Sequence, residues 1–141
     1  MMESACKIEV TIYLRGVDLD PVYASTLLGL EPSKSQFKGE KRRTSTNKEF
    51  VTGIGLWALT VEADSSNISA LIGELVLRVE NRGVAFSQIA GVEDAYLDVF
   101  MAVDADDDGG GTCAFQLSEE SVRALHGLSL PVRFTVAVVR P

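Results

Sequence analysis

One run of acidic residues has a spacing that could bind a cation. Asp104, Asp106 and Asp108 stand at alternate positions and are closed by Gly109, which is the opening pattern of a calcium loop. Such a loop also takes a bidentate Glu at its twelfth position, and here that position is Phe115. The glycines that follow favour a solvated hairpin connection. We therefore predict a flexible turn, with weak metal binding by Asp104, Asp106 and Asp108 as the alternative.

Positive charge is concentrated in one segment of an otherwise acidic chain. Residues 31–49 hold six of the 13 Lys and Arg against three Glu, a local charge of +3 in a chain of −7. The candidate binding residues are Lys34, Lys38, Lys41, Arg42 and Arg43, with Trp57 as a ring that could stack on a ligand. These cations could hold a phosphate or an acidic partner surface. The alternatives are a charged loop in solvent and, for Trp57, a place in the core beside Leu59 and Val61.

Groups for nucleophilic or acid–base catalysis are scarce. The single His126 falls at the end of a predicted helix, where the helix dipole favours a cation for structural reasons alone. Cys6 and Cys113 are 107 residues apart and fit no metal spacing. A Ser–His or Cys–His pair would have to recruit that one histidine. We therefore predict no enzymatic activity, no catalytic residue and no cofactor.

Composition limits the class of protein further. The chain has 141 residues, 46% hydrophobic and 23% charged, which is typical of one globular domain. A net charge of −7 argues against general nucleic-acid binding, because phosphate contacts need a basic face. No apolar run approaches the ~20 residues of a membrane span, and the N-terminus lacks the regions of a signal peptide. We expect a cytoplasmic protein.

Hydrophobic periodicity predicts an alternation of strands and helices. Strands are expected at 8–14, 54–63, 95–103, 112–117 and 131–139, with a polar edge strand at 34–42. Helices are expected at Pro21–Leu28, from an Asp20 N-cap to a Gly29 C-cap, at 68–79 and at 118–126. One of Ser65, Ser66 and Asn67 should cap the second helix, and Asn81-Arg82-Gly83 should close it. Residues 43–53 show no periodicity and are predicted to be a mobile loop, and residues 84–92 are ambiguous.

This order indicates a single α+β domain over residues 1–141. Residues 7–103 follow the β-α-β-β-α-β order of a ferredoxin-like core, and residues 112–139 add a C-terminal β-α-β extension. We expect a mixed, mostly antiparallel sheet with helices on one face. The exposed edge near residue 34 leaves a sheet-extended homodimer open as one arrangement.

Several of these motifs together resemble a known family. They are LDPVYASTLLGLEPS (19–33), the Lys38-Gly39 pair with its basic neighbours, GLWAL (55–59) and LSEESVRAL (117–125). The chain resembles the bacterial family catalogued as domain of unknown function 4279, and the likeness covers most of the chain. The resemblance implies a small, single-domain, cytoplasmic bacterial protein, and it transfers no catalytic residue because the family carries no established chemistry.

Two functions from different classes follow from these observations. The first is a non-enzymatic binding protein, in its most concrete form an immunity-type protein that neutralises a toxin by holding a basic domain against an acidic surface. Acidity suits that role by steering a cationic partner. The alternative is a small-molecule or phosphate-binding domain that uses the basic segment 34–43 and Trp57.

Overall fold

A computed structural model describes residues 6–63, 67–79, 85–112 and 114–139. Within these ranges the strands are β1 (Cys6–Gly16), β2 (Lys34–Gln36), β3 (Lys41–Arg43), β4 (Glu49–Val51), β5 (Gly55–Ala63), β6 (Asp94–Asp104) and β7 (Val132–Val139). The helices are α1 (Pro21–Leu28), α2 (Ile68–Val79) and α3 (Glu119–Gly127), and one 3-10 turn spans Phe86–Gln88. The cap residues expected at 65–66 and 81–83 lie outside the described residues.

Five strands form the main sheet in the order β2-β5-β1-β6-β7, and β3 and β4 form a separate hairpin. All neighbours in the main sheet run antiparallel except β6 and β7, which are parallel. The predicted α+β class with a mixed, mostly antiparallel sheet is therefore confirmed. The predicted β-α-β-β-α-β order corresponds to β1-α1-β2-β5-α2-β6 with the hairpin inserted. The ferredoxin-like assignment itself stays a prediction.

The first helix begins and ends where the local sequence signals place it. The Asp20 carboxylate accepts from the backbone N–H of Val22 at 2.9 Å, and Pro21 occupies the first helical position, where its missing N–H costs nothing. Gly29 ends the helix with φ of 67°, a left-handed conformation that favours glycine.

The core lies between the helices and one face of the sheet. The alternating residues Ile8, Val10, Ile12 and Leu14 of β1 are all fully buried, as the period of two predicts. They join one cluster with the apolar stripe of α2, formed by Ile68, Leu71, Ile72, Leu75 and Val79, and with Ala24 and Leu28 of α1 and Leu125 of α3. The opposite face of the sheet carries Glu9, Thr11, Tyr13 and Arg15 of β1, and we call it the open face.

Two predictions of local structure are wrong. Residues 49–51 do not form a mobile loop, because they pair with 41–43 as the β3–β4 hairpin. Residue 112 and residues 114–117 do not form a strand. The Ser69 hydroxyl donates to the Gln116 carbonyl at 3.2 Å and accepts from the Ser118 N–H at 3.1 Å, which ties this segment to α2. The C-terminal addition is thus α3 followed by β7, with β6 as the preceding strand.

Among the described residues, no helix combines the length and the apolar character needed to cross a bilayer.

Candidate functional site

The basic segment 34–43 contains β2 and β3 and is held in place by side-chain hydrogen bonds. The Glu40 carboxylate accepts from the Phe37 backbone N–H at 2.7 Å and from the Arg42 guanidinium at 2.6 Å. These two donors, the Phe37 N–H first, hold the pKa of the Glu40 carboxyl below its usual range. Arg42 also donates to the Ser35 carbonyl at 2.9 Å, which joins the hairpin to β2. Arg42 is therefore engaged in holding the hairpin.

The other predicted cations lie on the surface of this segment. Lys34, Lys38, Lys41 and Arg43 are exposed, and Lys41 and Arg43 project from the same face of β3. Arg43 donates to the Asn47 side chain at 3.2 Å across the hairpin turn. The segment thus presents exposed charges to solvent.

Trp57 lies in the core. Its side chain is 0% exposed, and the indole N–H donates to the Ser25 hydroxyl of α1 at 3.0 Å. The ring is closed off from solvent and from the exposed cations of the hairpin, so a ligand cannot stack on it. Trp57 is therefore a core residue and not part of a ligand-binding surface.

The aspartate-rich loop folds on itself. Asp106 accepts through one carboxylate oxygen from the N–H groups of Asp108 at 3.0 Å and Gly110 at 2.9 Å. The Ala105 N–H donates to the Val139 carbonyl at 2.8 Å, which anchors the loop beside β7. In the part of the chain that the structure describes, no three His, Cys, Asp or Glu side chains are grouped to hold a metal. The carboxylates of Asp104, Asp106 and Asp108 are thus not assembled as ligands.

Carboxylates from separate segments meet at one end of the sheet. β6 ends at Asp104, Cys6 of β1 pairs with Val103, and Ile8 pairs with Ala63, so the start of β1 and the ends of β5 and β6 share that end. α2 begins just after β5, and the Ser69–Ser118 bond brings the start of α3 there too. We call this set the acidic end: Glu9, Glu62, Asp104, Asp106, Asp107, Asp108, Glu119 and Glu120.

Few cations offset this charge. Among the described residues, Lys7 lies 3.8 Å from Glu62 and 4.0 Å from Glu9, and Arg123 lies 3.7 Å from Glu119. All three are exposed pairs with long contacts, which neutralise little charge. The basic hairpin joins the sheet at the opposite end, since β2 ends and β5 begins there. Negative charge is therefore concentrated at one end of the strands, and the basic hairpin lies at the other end.

A concave feature lies on the open face of the sheet. A cleft of about 260 Å³ is lined by Tyr13, Arg15, Gln36, Ile54, Leu56 and Tyr96. The Tyr13 and Tyr96 rings stack with centroids 5.2 Å apart, and the Arg133 guanidinium lies 3.7 Å from the Tyr96 centroid. Burial raises the pKa of the Tyr13 phenol, and the negative charge of Asp98 raises it further.

Arg15 distinguishes this cleft from a simple gap in packing. Arg15 is half-buried, and its guanidinium makes no ion pair or hydrogen bond with any described residue. Asp94 lies directly opposite it on β6. Asp94 instead pairs with Arg133 at 3.3 Å. A larger groove of about 400 Å³ between α1 and β2 has one charged residue in its lining, the exposed Glu31. Two of its hydroxyls are already engaged, since that of Ser25 accepts from the Trp57 N–H and that of Thr26 donates to the Val22 carbonyl.

Sequence reasoning missed Tyr13, Arg15 and Tyr96. The alternation of residues 8–14 places Tyr13 on the polar face of this strand, which is the one signal that the sequence offers. Its proximity to Tyr96 depends on the β1–β6 register, in which the two residues are directly opposite. His126, the one histidine of the chain, is exposed in the last turn of α3.

Comparison with known proteins identifies the family. The model of the family described as "Domain of unknown function (DUF4279)" matches residues 4–139, nearly the whole chain. The protein therefore belongs to this family, as its motifs predicted. Neither a curated protein nor a solved structure matches the chain.

Proposed function

We propose that this member of the DUF4279 family is a non-catalytic binding protein of the cytoplasm that holds a basic protein partner against its acidic end. In its most concrete form it is an immunity-type protein that neutralises a basic toxin domain. The observation that carries the proposal is the convergence of β1, β5, β6, the following loop and α3 on one carboxylate-rich surface.

The placement of the charges supports this role. A field of one sign at one end of the molecule attracts a cationic partner and orients it before contact. Asp107, Asp108 and Glu120 are exposed and make no ion pair with any described residue. Their carboxylates are available to pair with Lys or Arg side chains of a partner without first breaking a contact inside this chain.

The test is affinity capture of the tagged protein from the cells that encode it, followed by measurement of the captured complex at increasing salt. One variant removes three acidic-end charges: Asp107→Asn, Asp108→Asn and Glu120→Gln. A matched control makes the same charge change elsewhere: Asp18→Asn, Glu31→Gln and Glu49→Gln. We expect a basic partner whose affinity falls with salt and falls in the first variant, with the control close to wild type. Equal loss in both variants, or capture of no basic protein, contradicts the proposal.

The open-face cleft supports a second candidate function, the binding of a small planar carboxylate. The Arg15 guanidinium, which no described residue pairs, matches the two oxygens of a carboxylate, and Tyr13 and Leu56 offer surfaces for a flat apolar body. Titration with benzoate, followed through backbone amide NMR shifts, should perturb Arg15 and Leu56. Arg15→Gln should abolish the shifts, while Arg123→Gln on α3 should retain them. Equal shifts with uncharged benzamide would exclude carboxylate recognition.

A further inference from the structure

β7 is the last strand on one side of the main sheet. Its inner edge pairs with β6 in parallel over the whole strand, from Val132 opposite Leu97 to Val139 opposite Asp104. No described strand pairs with its outer edge. The opposite edge of the sheet is different, because β2 has only three residues and begins with Lys34, both of which discourage edge pairing.

The backbone groups that face outward can be identified from the bonds at the two ends of β7. The Leu97 N–H donates to the Pro131 carbonyl at 2.9 Å, and the Ala105 N–H donates to the Val139 carbonyl at 2.8 Å. Odd-numbered residues therefore direct their backbone groups towards β6. Because these directions alternate along a strand, the N–H and C=O groups of Val132, Phe134, Val136 and Val138 face outward.

The side chains of this edge are apolar and uncovered. Phe134, Val136 and Val138 are 49%, 59% and 52% exposed, although they lie on the face of the sheet that the helices cover elsewhere. Phe115 stacks on Phe134 at 6.0 Å between centroids and extends the patch. Arg133, the one charged side chain among Val132–Val139, is paired with Asp94. A long, largely apolar edge whose one charge is already paired, and which has no proline or bulge, is a ready template for another strand.

We propose that a second copy of this chain pairs with β7 antiparallel to it, so that two sheets join into one across a two-fold axis at Thr135. Only this register matches every outward group: Val132 pairs with Val138 of the second copy, and Phe134 with Val136. It places aromatic and β-branched side chains opposite one another on the helix side, which stabilises cross-strand pairs. The contact uses the same patch on both copies and therefore closes as a dimer.

The charge distribution selects the antiparallel arrangement. β7 runs towards the acidic end, since it is parallel to β6, which ends at Asp104. Antiparallel pairing sends the two acidic ends to opposite extremes of the dimer, whereas parallel pairing would place them side by side and repel. The dimer leaves both acidic ends free, so it stands independently of the binding function proposed above.

The mass of the full chain in solution, measured by sedimentation equilibrium over a dilution series, tests the dimer. We expect wild type to dimerise and Val136→Lys to be monomeric, because a lysine at this exposed edge position opposes strand pairing. Leu77→Lys is the matched control, since Leu77 is 72% exposed on α2, away from β7. Circular dichroism verifies that both variants fold. A monomeric wild type overturns the proposal, and so does a Val136→Lys protein that stays dimeric.

Disulfide trapping tests the register. In a chain with Cys6→Ser and Cys113→Ser, Thr135→Cys should give a covalent dimer on mild oxidation. In the proposed register Thr135 lies opposite Thr135 of the second copy as a non-hydrogen-bonded pair. The Cα atoms of such a pair lie within the range that a disulfide spans. Ala137→Cys is the control, because it points to the same face and lies opposite Arg133 of the second copy. Cross-linking at Ala137→Cys and not at Thr135→Cys overturns the proposed pairing.

Discussion

The Arg42 guanidinium lies 2.6 Å from the Glu40 carboxylate, and through this pair the β3–β4 hairpin is fixed to β2. The same carboxylate accepts from the Phe37 N–H. The Thr52 hydroxyl donates to the Phe37 carbonyl and accepts from the Glu40 N–H, so Glu40 and Thr52 together hold the turn that leads into the hairpin.

We predict that Glu40→Gln loosens the hairpin. The amide can still accept from Phe37, but it loses the charge that holds Arg42, so amide hydrogens of β3 and β4 should exchange faster by a factor of a few. The pKa of Glu40 is lowered from 4.5 in the folded protein. Its contribution to the stability of the hairpin is therefore present above pH 4.5 and is lost as the pH falls through the folded pKa. Wild-type exchange should therefore approach that of the variant in acid.

Hydrogen exchange followed by NMR measures this effect. Glu49→Gln is the control, because Glu49 lies on the same hairpin and makes no ion pair with any described residue. If Glu49→Gln loosens β3 and β4 as much as Glu40→Gln does, the hairpin is not held specifically by the Glu40–Arg42 pair.

Tyr13 should make the protein sensitive to alkali. Its pKa is raised above 10.0 by burial and by the charge of Asp98, so the folded state opposes the phenolate. The contribution of Tyr13 to the free energy of unfolding is fully present below pH 10.0, the ordinary pKa of tyrosine. It declines as the pH rises through the folded pKa. Tyr13→Phe should therefore show a shallower fall in unfolding free energy above that pH. Urea unfolding across alkaline pH measures it, with exposed Tyr23→Phe as the control. Identical slopes for wild type and Tyr13→Phe would contradict the assignment.

Ser25→Ala should destabilise the protein through Trp57. The variant leaves the indole N–H without its partner in a side chain that is 0% exposed, and an unsatisfied buried donor costs ~1–3 kcal/mol. Urea unfolding followed by tryptophan fluorescence reads both the free energy and the environment of the ring. Ser45→Ala, at the exposed hairpin turn, is the control and should match wild type. An unchanged midpoint for Ser25→Ala would show that the bond contributes nothing.

Gly16→Ala should also destabilise the fold, for a steric reason. A Cβ at Gly16 would overlap the backbone carbonyl of Gly91, and neither group is a flexible side chain that can move aside. Overpacking of this kind typically costs ~1–3 kcal/mol. Gly53→Ala is the matched control, since nothing lies within 4 Å of its added Cβ. Equal unfolding midpoints for the two variants would contradict the close approach of β1 to residue 91.

The sequence by itself determined the elements whose signals are local. Asp20, Pro21 and Gly29 define α1 because caps act on backbone groups within a few residues, and the stripe from Ile68 to Val79 defines α2 because a single helix face must be buried. The family was also identifiable, since its motifs are continuous in sequence. The hairpin was missed because strands of three residues show no periodicity.

Tertiary structure alone decided what surrounds each candidate side chain. Trp57 is buried against α1, and Tyr13 meets Tyr96 through the β1–β6 register. Arg15 has no ion-pair partner among the described residues, whereas Asp94, opposite it on β6, pairs with Arg133. The pattern of β7 indicates an apolar face, but its exposure follows from its position at the edge of the sheet. Strand order and register join residues that are far apart in the chain, and no local propensity encodes them. The acidic end likewise exists only because several separate elements start or stop at the same end of the sheet.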